Sequence, residues 1–205
     1  MCEVLFINAS ARTGQSTGYA LAKELIETIR NRDNNLSITY RALGEGSVPP
    51  LTDDYETALA QRTSRDATVF NHSEELIKEL ERSELLIIAT PMHNFTVPAS
   101  LKLWIDHVVR IGRTFEATPE GKIGLLADRP VYIIVSSGGF HQGAHARQAD
   151  FLSPYLRHVL GTIGLLDVHF IYLEGQALGT ESALAANAEA RCRLARLPLL
   201  QTTPG

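Results

Sequence analysis

Residues 85 to 89, Leu-Leu-Ile-Ile-Ala, form a continuous apolar run with no polar alternation. A run of that length reads as a strand covered on both faces. It stops at Thr90-Pro91, because proline has no N–H to give to a ladder. The next stretch, Met92-His93-Asn94-Phe95, is too polar for core and too apolar for an ordinary surface loop. Pro98 then suits the first turn of a helix. Leu101, Trp104, Ile105, Val108 and Val109 recur at helical spacing, which predicts a helix over 99–112.

The same two patterns alternate along the chain. Residues 4–8 form a first apolar strand, and Leu21, Ala22, Leu25, Ile26 and Ile29 mark the helix after it. Residues 36–42 alternate weakly as a second strand, and 54–66 carry a poor helical pattern. Asn71 followed by Glu74 looks like a capping box ahead of Leu76, Ile77 and Leu80. Residues 131–136 predict a fourth strand, 151–163 a helix, 168–173 a fifth strand and 181–197 a last helix. Residues 44–53, 116–130 and the tail after Pro198 read as linkers. Strands alternating with helices predict an α/β protein with one five-stranded parallel sheet between two helical layers. Five strands suit the order 2-1-3-4-5 in a single domain spanning residues 1–205.

That order places three loops around one crevice at the carboxyl ends of the strands. The first loop holds Ser10, Arg12, Thr13, Ser16, Thr17 and Gly18 ahead of a helix. Free N–H groups and the helix dipole there favour an anion. The hydroxyls also suit helix capping, and Ser16 is expected to cap. Neither GxxxxGK[ST] nor GxGxxG is present, so the usual nucleotide fingerprints are missing. The second loop is 92–95. The third is Ser136-Ser137-Gly138-Gly139, followed by His141. Its paired glycines suit close approach of a flat group to the backbone, or a simple turn. His141 suits proton donation or substrate orientation near neutral pH, or is a solvated loop histidine. His93 is open to the same two readings. His107, His158 and His169 fall within apolar-periodic elements and read as structural.

Composition narrows the partners. The net charge of −4 and the absence of a basic block argue against nucleic acid. No apolar run reaches the roughly 20 residues of a membrane helix, and the start lacks the pattern of a signal peptide. Cys2 and Cys192 form no CxxC and no metal-spaced set. Reduced thiols in a cytoplasm are the expectation, with no metal site. No GxSxG elbow or cysteine-centred phosphate loop supports a hydrolase or phosphatase.

At the three loops the sequence resembles the FMN-dependent NADH:quinone oxidoreductase/azoreductase family, which has a flavodoxin-like fold. The resemblance covers nearly the whole chain and is most specific over 91–115, PMHNFTVPASLKLWIDHVVRIGRTF. It implies that Ser10, Ser16, Thr17 and Gly18 hold the phosphate and ribityl end of FMN. It implies that Met92, His93, Asn94 and Phe95 border the isoalloxazine, and that Ser136, Ser137, Gly138 and Gly139 line its other edge. It further implies ping-pong hydride transfer from NADH or NADPH to a quinone or azo compound, and a homodimer with shared active sites. His93 stands where the family usually has Tyr, Ser137 where Arg is common, and Gly18 where a hydroxyl is common. Other readings are a reductase of nitroaromatics or of a specialised pathway substrate, and an electron carrier with no organic substrate. The charge of −4 and the 91–115 block speak against the carrier.

Overall fold

The computed structural model describes residues 3–12, 14–44 and 46–201. The strands are β1 (Glu3–Asn8), β2 (Ser37–Ala42), β3 (Leu85–Pro91), β4 (Phe115–Thr118), β5 (Gly121–Gly124), β6 (Val131–Ser136) and β7 (Val168–Leu173). Five of them pair in parallel in the order β2-β1-β3-β6-β7, the switch-point topology expected from the alternating pattern. The helices are α1 (Thr17–Arg30), α2 (Asp53–Ala60), α3 (Asn71–Arg82), α4 (Ala99–Val108), α5 (Leu152–Thr162), α6 (Thr180–Leu194) and α7 (Pro198–Gln201).

Successive side chains of a strand point to opposite faces. Leu5 and Ile7 of β1 and Leu86 and Ile88 of β3 pack with Leu76 of α3, Trp104 of α4 and Leu156 of α5. Val4, Phe6, Leu85 and Ile87 pack on the other face with Leu25 of α1 and Leu194 of α6. Both faces are covered, which explains why these strands lack polar alternation. A fully buried Leu or Ile contributes about 1.5–3 kcal/mol, so the central strands anchor the site loops firmly.

Several boundaries differ from the sequence reading. Residues 116–130 are not simply a linker: β4 and β5 pair as an antiparallel hairpin. The hairpin is fixed where Gly124 meets the end of α5, and a Cβ on Gly124 would lie 2.1 Å from the Gly164 nitrogen. Helix α4 ends at Val108 rather than 112, because the Thr114 hydroxyl accepts the Arg110 N–H (3.0 Å) and donates to the Val108 carbonyl (2.6 Å). Pro98 takes the N-cap of α4 rather than its first helical position. The capping box at Asn71 does not form. A 3-10 turn over Thr68–Phe70 runs straight into α3, and Glu74 reaches instead to Arg110 and Arg113. Helix α2 stops at Ala60 and α6 at Leu194. The tail after 197 contains α7, and its Leu200 is buried. Cys2 and Thr13 lie outside the described residues, and Cys192 is an exposed free thiol. Among the described residues no helix is long and apolar enough to cross a membrane.

Candidate active site

An open crevice of about 560 Å³ lies at the carboxyl ends of β1, β3 and β6. Its first wall is the loop after β1. The buried Asn8 Oδ1 accepts the Ser10 N–H, and Ser10 Oγ accepts the Arg12 N–H, each at 3.2 Å. Ser16 caps α1 as expected, its Oγ accepting the Tyr19 N–H at 3.2 Å. The first helical bond runs from the Ala20 N–H to the Ser16 carbonyl. The N–H groups of Thr17 and Gly18 therefore precede the helical ladder, at the positive end of the dipole. Among the described residues, Arg12 is the one of permanent charge that lines the crevice, and no carboxylate lines it. The wall thus suits a phosphate.

The second wall follows β3. The Met92 N–H is held by the Ser136 carbonyl at 2.8 Å. His93 and Thr96 then exchange both backbone hydrogen bonds, at 2.9 and 3.1 Å. The two residues between them, Asn94 (φ 48) and Phe95 (φ 73), are both left-handed. This is a two-residue hairpin turn of type I′. Asn tolerates that conformation; a bulky Phe is strained in it. Phe95 is 45% exposed. Strain of this kind, held by the surrounding structure, is found at ligand clamps.

The third wall follows β6. The Ser137 hydroxyl donates to the Gly139 carbonyl at 2.9 Å. A Cβ on Gly138 would come within 3.2 Å of the Ala177 methyl, and one on Gly139 within 3.0 Å of the Gln148 amide. The pair therefore serves packing within the protein as well as an open face. The N–H groups of Asn94, Gly138 and Gly139 have no partner among the described residues.

Ser10, Ser16, Thr17, Met92, His93, Ser136, Ser137 and Gly138 line the crevice together with Arg12. Gly18 and Gly139 are not among the lining residues, and Asn94 and Phe95 form the turn of the second loop. His141 is buried and does not line the crevice; its ring packs edge-on against Phe95, with centroids 6.4 Å apart. Its Nδ1 is 2.8 Å from the Ala149 carbonyl, which only accepts, so Nδ1 carries the hydrogen of that bond. Asp150, beside it, accepts from Ser153, Leu152, Gln142 and Tyr172. Burial alone raises the Asp150 carboxyl pKa, but the Ser153, Tyr172 and Leu152 hydrogen bonds outweigh it and hold the group below the usual range. Gln15 and Gln176 also line the crevice, and neither stands out in the sequence. His107 is buried, and its Nε2 donates to the Pro49 carbonyl at 3.0 Å, a structural role. A second depression of about 380 Å³ includes Arg110 and Arg113. Both are already paired with glutamates, so it offers an anion less than the crevice does.

The sequence profile of the flavodoxin-like fold family matches residues 3–197. A protein of Pseudomonas fluorescens named FMN-dependent NADH:quinone oxidoreductase 4 is 56% identical over 199 residues, 97% of either chain. FMN-dependent NADH:quinone oxidoreductase 5 of Burkholderia lata is 51% identical over 177 residues, 86% of this chain and 87% of that one. Among solved structures, an FMN-dependent NADH-azoreductase from Bacillus anthracis, crystallised with FMN, superposes with a TM-score of 0.81 at 24% identity. The match covers 96% of this chain and 99% of that one, and it supports the fold. With sheet order, crevice and full-length identity in agreement, the chain belongs to the flavodoxin-like family of FMN-dependent NADH:quinone oxidoreductases.

Proposed function

We propose that the protein is an FMN-dependent oxidoreductase that uses NADH or NADPH to reduce quinones and azo compounds. The observation that carries the reading is the pairing of an anion-binding helix start with a strained Asn94-Phe95 turn across one crevice. The residues fit FMN. Thr17, Ser16, Arg12 and the first N–H groups of α1 suit its phosphate. The unpartnered N–H groups of Asn94, Gly138 and Gly139 suit the polar edge of a flavin. Bound there, FMN supplies hydride transfer between nicotinamide and acceptor.

The protein's share is positioning. His93 and Phe95 border the flavin and the acceptor. His141, behind Phe95 and held through Nδ1 by Ala149, orients the acceptor by fixing the Phe95 ring. Phe95 and the 61% exposed Phe151 are joined by a bond from the Phe151 N–H to the Phe95 carbonyl (3.1 Å). This apolar rim supports a homodimer whose partner closes the crevice.

The absorption spectrum of the purified protein tests the reading. A flavin band that bleaches with NADH under anaerobic conditions, with FMN released by heat, is expected. Steady NADH oxidation with a quinone and no protein partner is expected to follow. A colourless protein that takes up no added FMN overturns it. His141→Gln is expected to retain FMN and lower acceptor turnover by about tenfold or more, and sedimentation velocity is expected to give a dimer.

A further inference from the structure

Gln176 lies in the turn after β7, at the edge of the sheet and one strand away from the three expected walls. It nevertheless lines the crevice with Ser10, Arg12 and Ser136. The turn is fastened to the third wall by three backbone bonds. The N–H groups of Gly175, Gln176 and Ala177 donate to the carbonyls of Gly139, Ser137 and Gly138 at 3.1, 3.0 and 3.2 Å. Two glycines make this approach possible. Gly175 has φ +67, and a Cβ there would lie 2.5 Å from Ser182 Oγ and 2.9 Å from the Phe140 ring. Gly138 leaves room for Ala177. The Gln176 side chain is therefore presented to the crevice from a fixed backbone.

Its amide Nε2 is buried and has no hydrogen-bond partner. A buried donor without a partner is costly, and among the described residues with such an atom, Tyr55, His72, Trp104, His107 and Gln176, Gln176 alone lines the crevice. We propose that Gln176 is a cofactor-binding residue, its side-chain amide donating to an acceptor oxygen of the flavin nucleotide. The assignment rests on the FMN reading above and adds a fourth wall to it. It also accounts for a polar residue at a position where the fold itself needs none.

A purely structural glutamine and a ligand-binding one behave oppositely in the protein stripped of cofactor. Replacing Gln176 by Leu removes the orphan donor at similar volume. In the Gln176→Leu apoprotein the melting temperature is expected to be equal to or above that of the parent. Its FMN dissociation constant, read from quenching of flavin fluorescence, is expected to be about fivefold to tenfold higher. Gln176→Glu keeps the shape but removes the donor, and is expected to weaken FMN binding at least as much. Unchanged FMN affinity in both variants overturns the assignment. So does an apoprotein that melts lower in step with the affinity loss, since the amide then serves the fold. If the parent chain itself binds no FMN, the function proposed above fails first, and the two failures are distinguishable.

Discussion

The carboxylate of Glu174 accepts the backbone N–H of His141 at 2.6 Å and, through the same oxygen, that of Gln142 at 3.0 Å. A residue at the end of β7 thereby fixes the histidine behind the Phe95 turn. Glu174→Ala leaves two N–H groups without their acceptor, at a cost of about 1–3 kcal/mol. The Michaelis constant for the acceptor is expected to rise more than the turnover number falls. Glu174→Gln keeps a carbonyl oxygen in place and is expected to restore most of the difference. Steady-state kinetics of the two variants check this, and identical Michaelis constants in both would sink it.

Phe95 holds a left-handed conformation that glycine adopts freely. Phe95→Gly is expected to keep or raise stability, within about 1 kcal/mol. It is also expected to lower kcat/KM for aromatic acceptors through loss of the ring at the crevice tip. Thermal melts beside kinetics check the pair of outcomes; a clear loss of stability would show that the turn stores no strain.

Arg110 is buried at 3% exposure, donates to Ser73 Oγ at 2.8 Å and stacks over the Phe70 ring. Its carboxylate partner is Glu74, which also binds Arg113. Glu74→Ala leaves a buried guanidinium without its counterion, a change that costs about 3–5 kcal/mol. Urea denaturation is expected to show a large drop in midpoint with little change in slope. A shift no larger than that of an exposed pair, such as Glu189→Ala, would contradict the assignment.

The His72 and His107 rings meet edge to face with centroids 5.2 Å apart, and His72 Nε2 is buried without a partner. Burial, then the neighbouring His107, lowers the His72 pKa below its ordinary 6.5. The folded state therefore binds fewer protons than the unfolded state below that value. Its contribution to stability is present above about pH 6.5 and is lost as pH falls through the lowered folded value. Denaturation midpoints from pH 8 to pH 5 are expected to fall less steeply in His72→Gln than in the parent. Parallel curves would refute the linkage.

The central strands and the three loops were legible because burial on both faces leaves residues 4–7, 85–89 and 131–135 without polar alternation, and polar or Pro residues follow at Asn8, Pro91 and Ser136. The β4–β5 hairpin was not. Its residues FEAT and GKIG are short and mostly exposed, so neither alternation nor an apolar run marks them. Glu74 looked like a capping residue because its true partners lie more than thirty positions away in sequence. Most of the site residues fall on the crevice wall, whereas Gln176 carried no signal at all. Nothing local distinguishes an isolated glutamine in a turn; only the β6–β7 pairing brings it to Ser137.

The crevice gathers Ser10, Met92, Ser136 and Gln176 from the segments that follow four adjacent strands of one sheet, β1, β3, β6 and β7. No contiguous half of the chain contains it. A fragment ending after α4 holds the anion loop and the Phe95 turn but neither of the walls that follow β6 and β7. On the proposed reading, the four walls of the flavin site come together only when β7 has paired with β6.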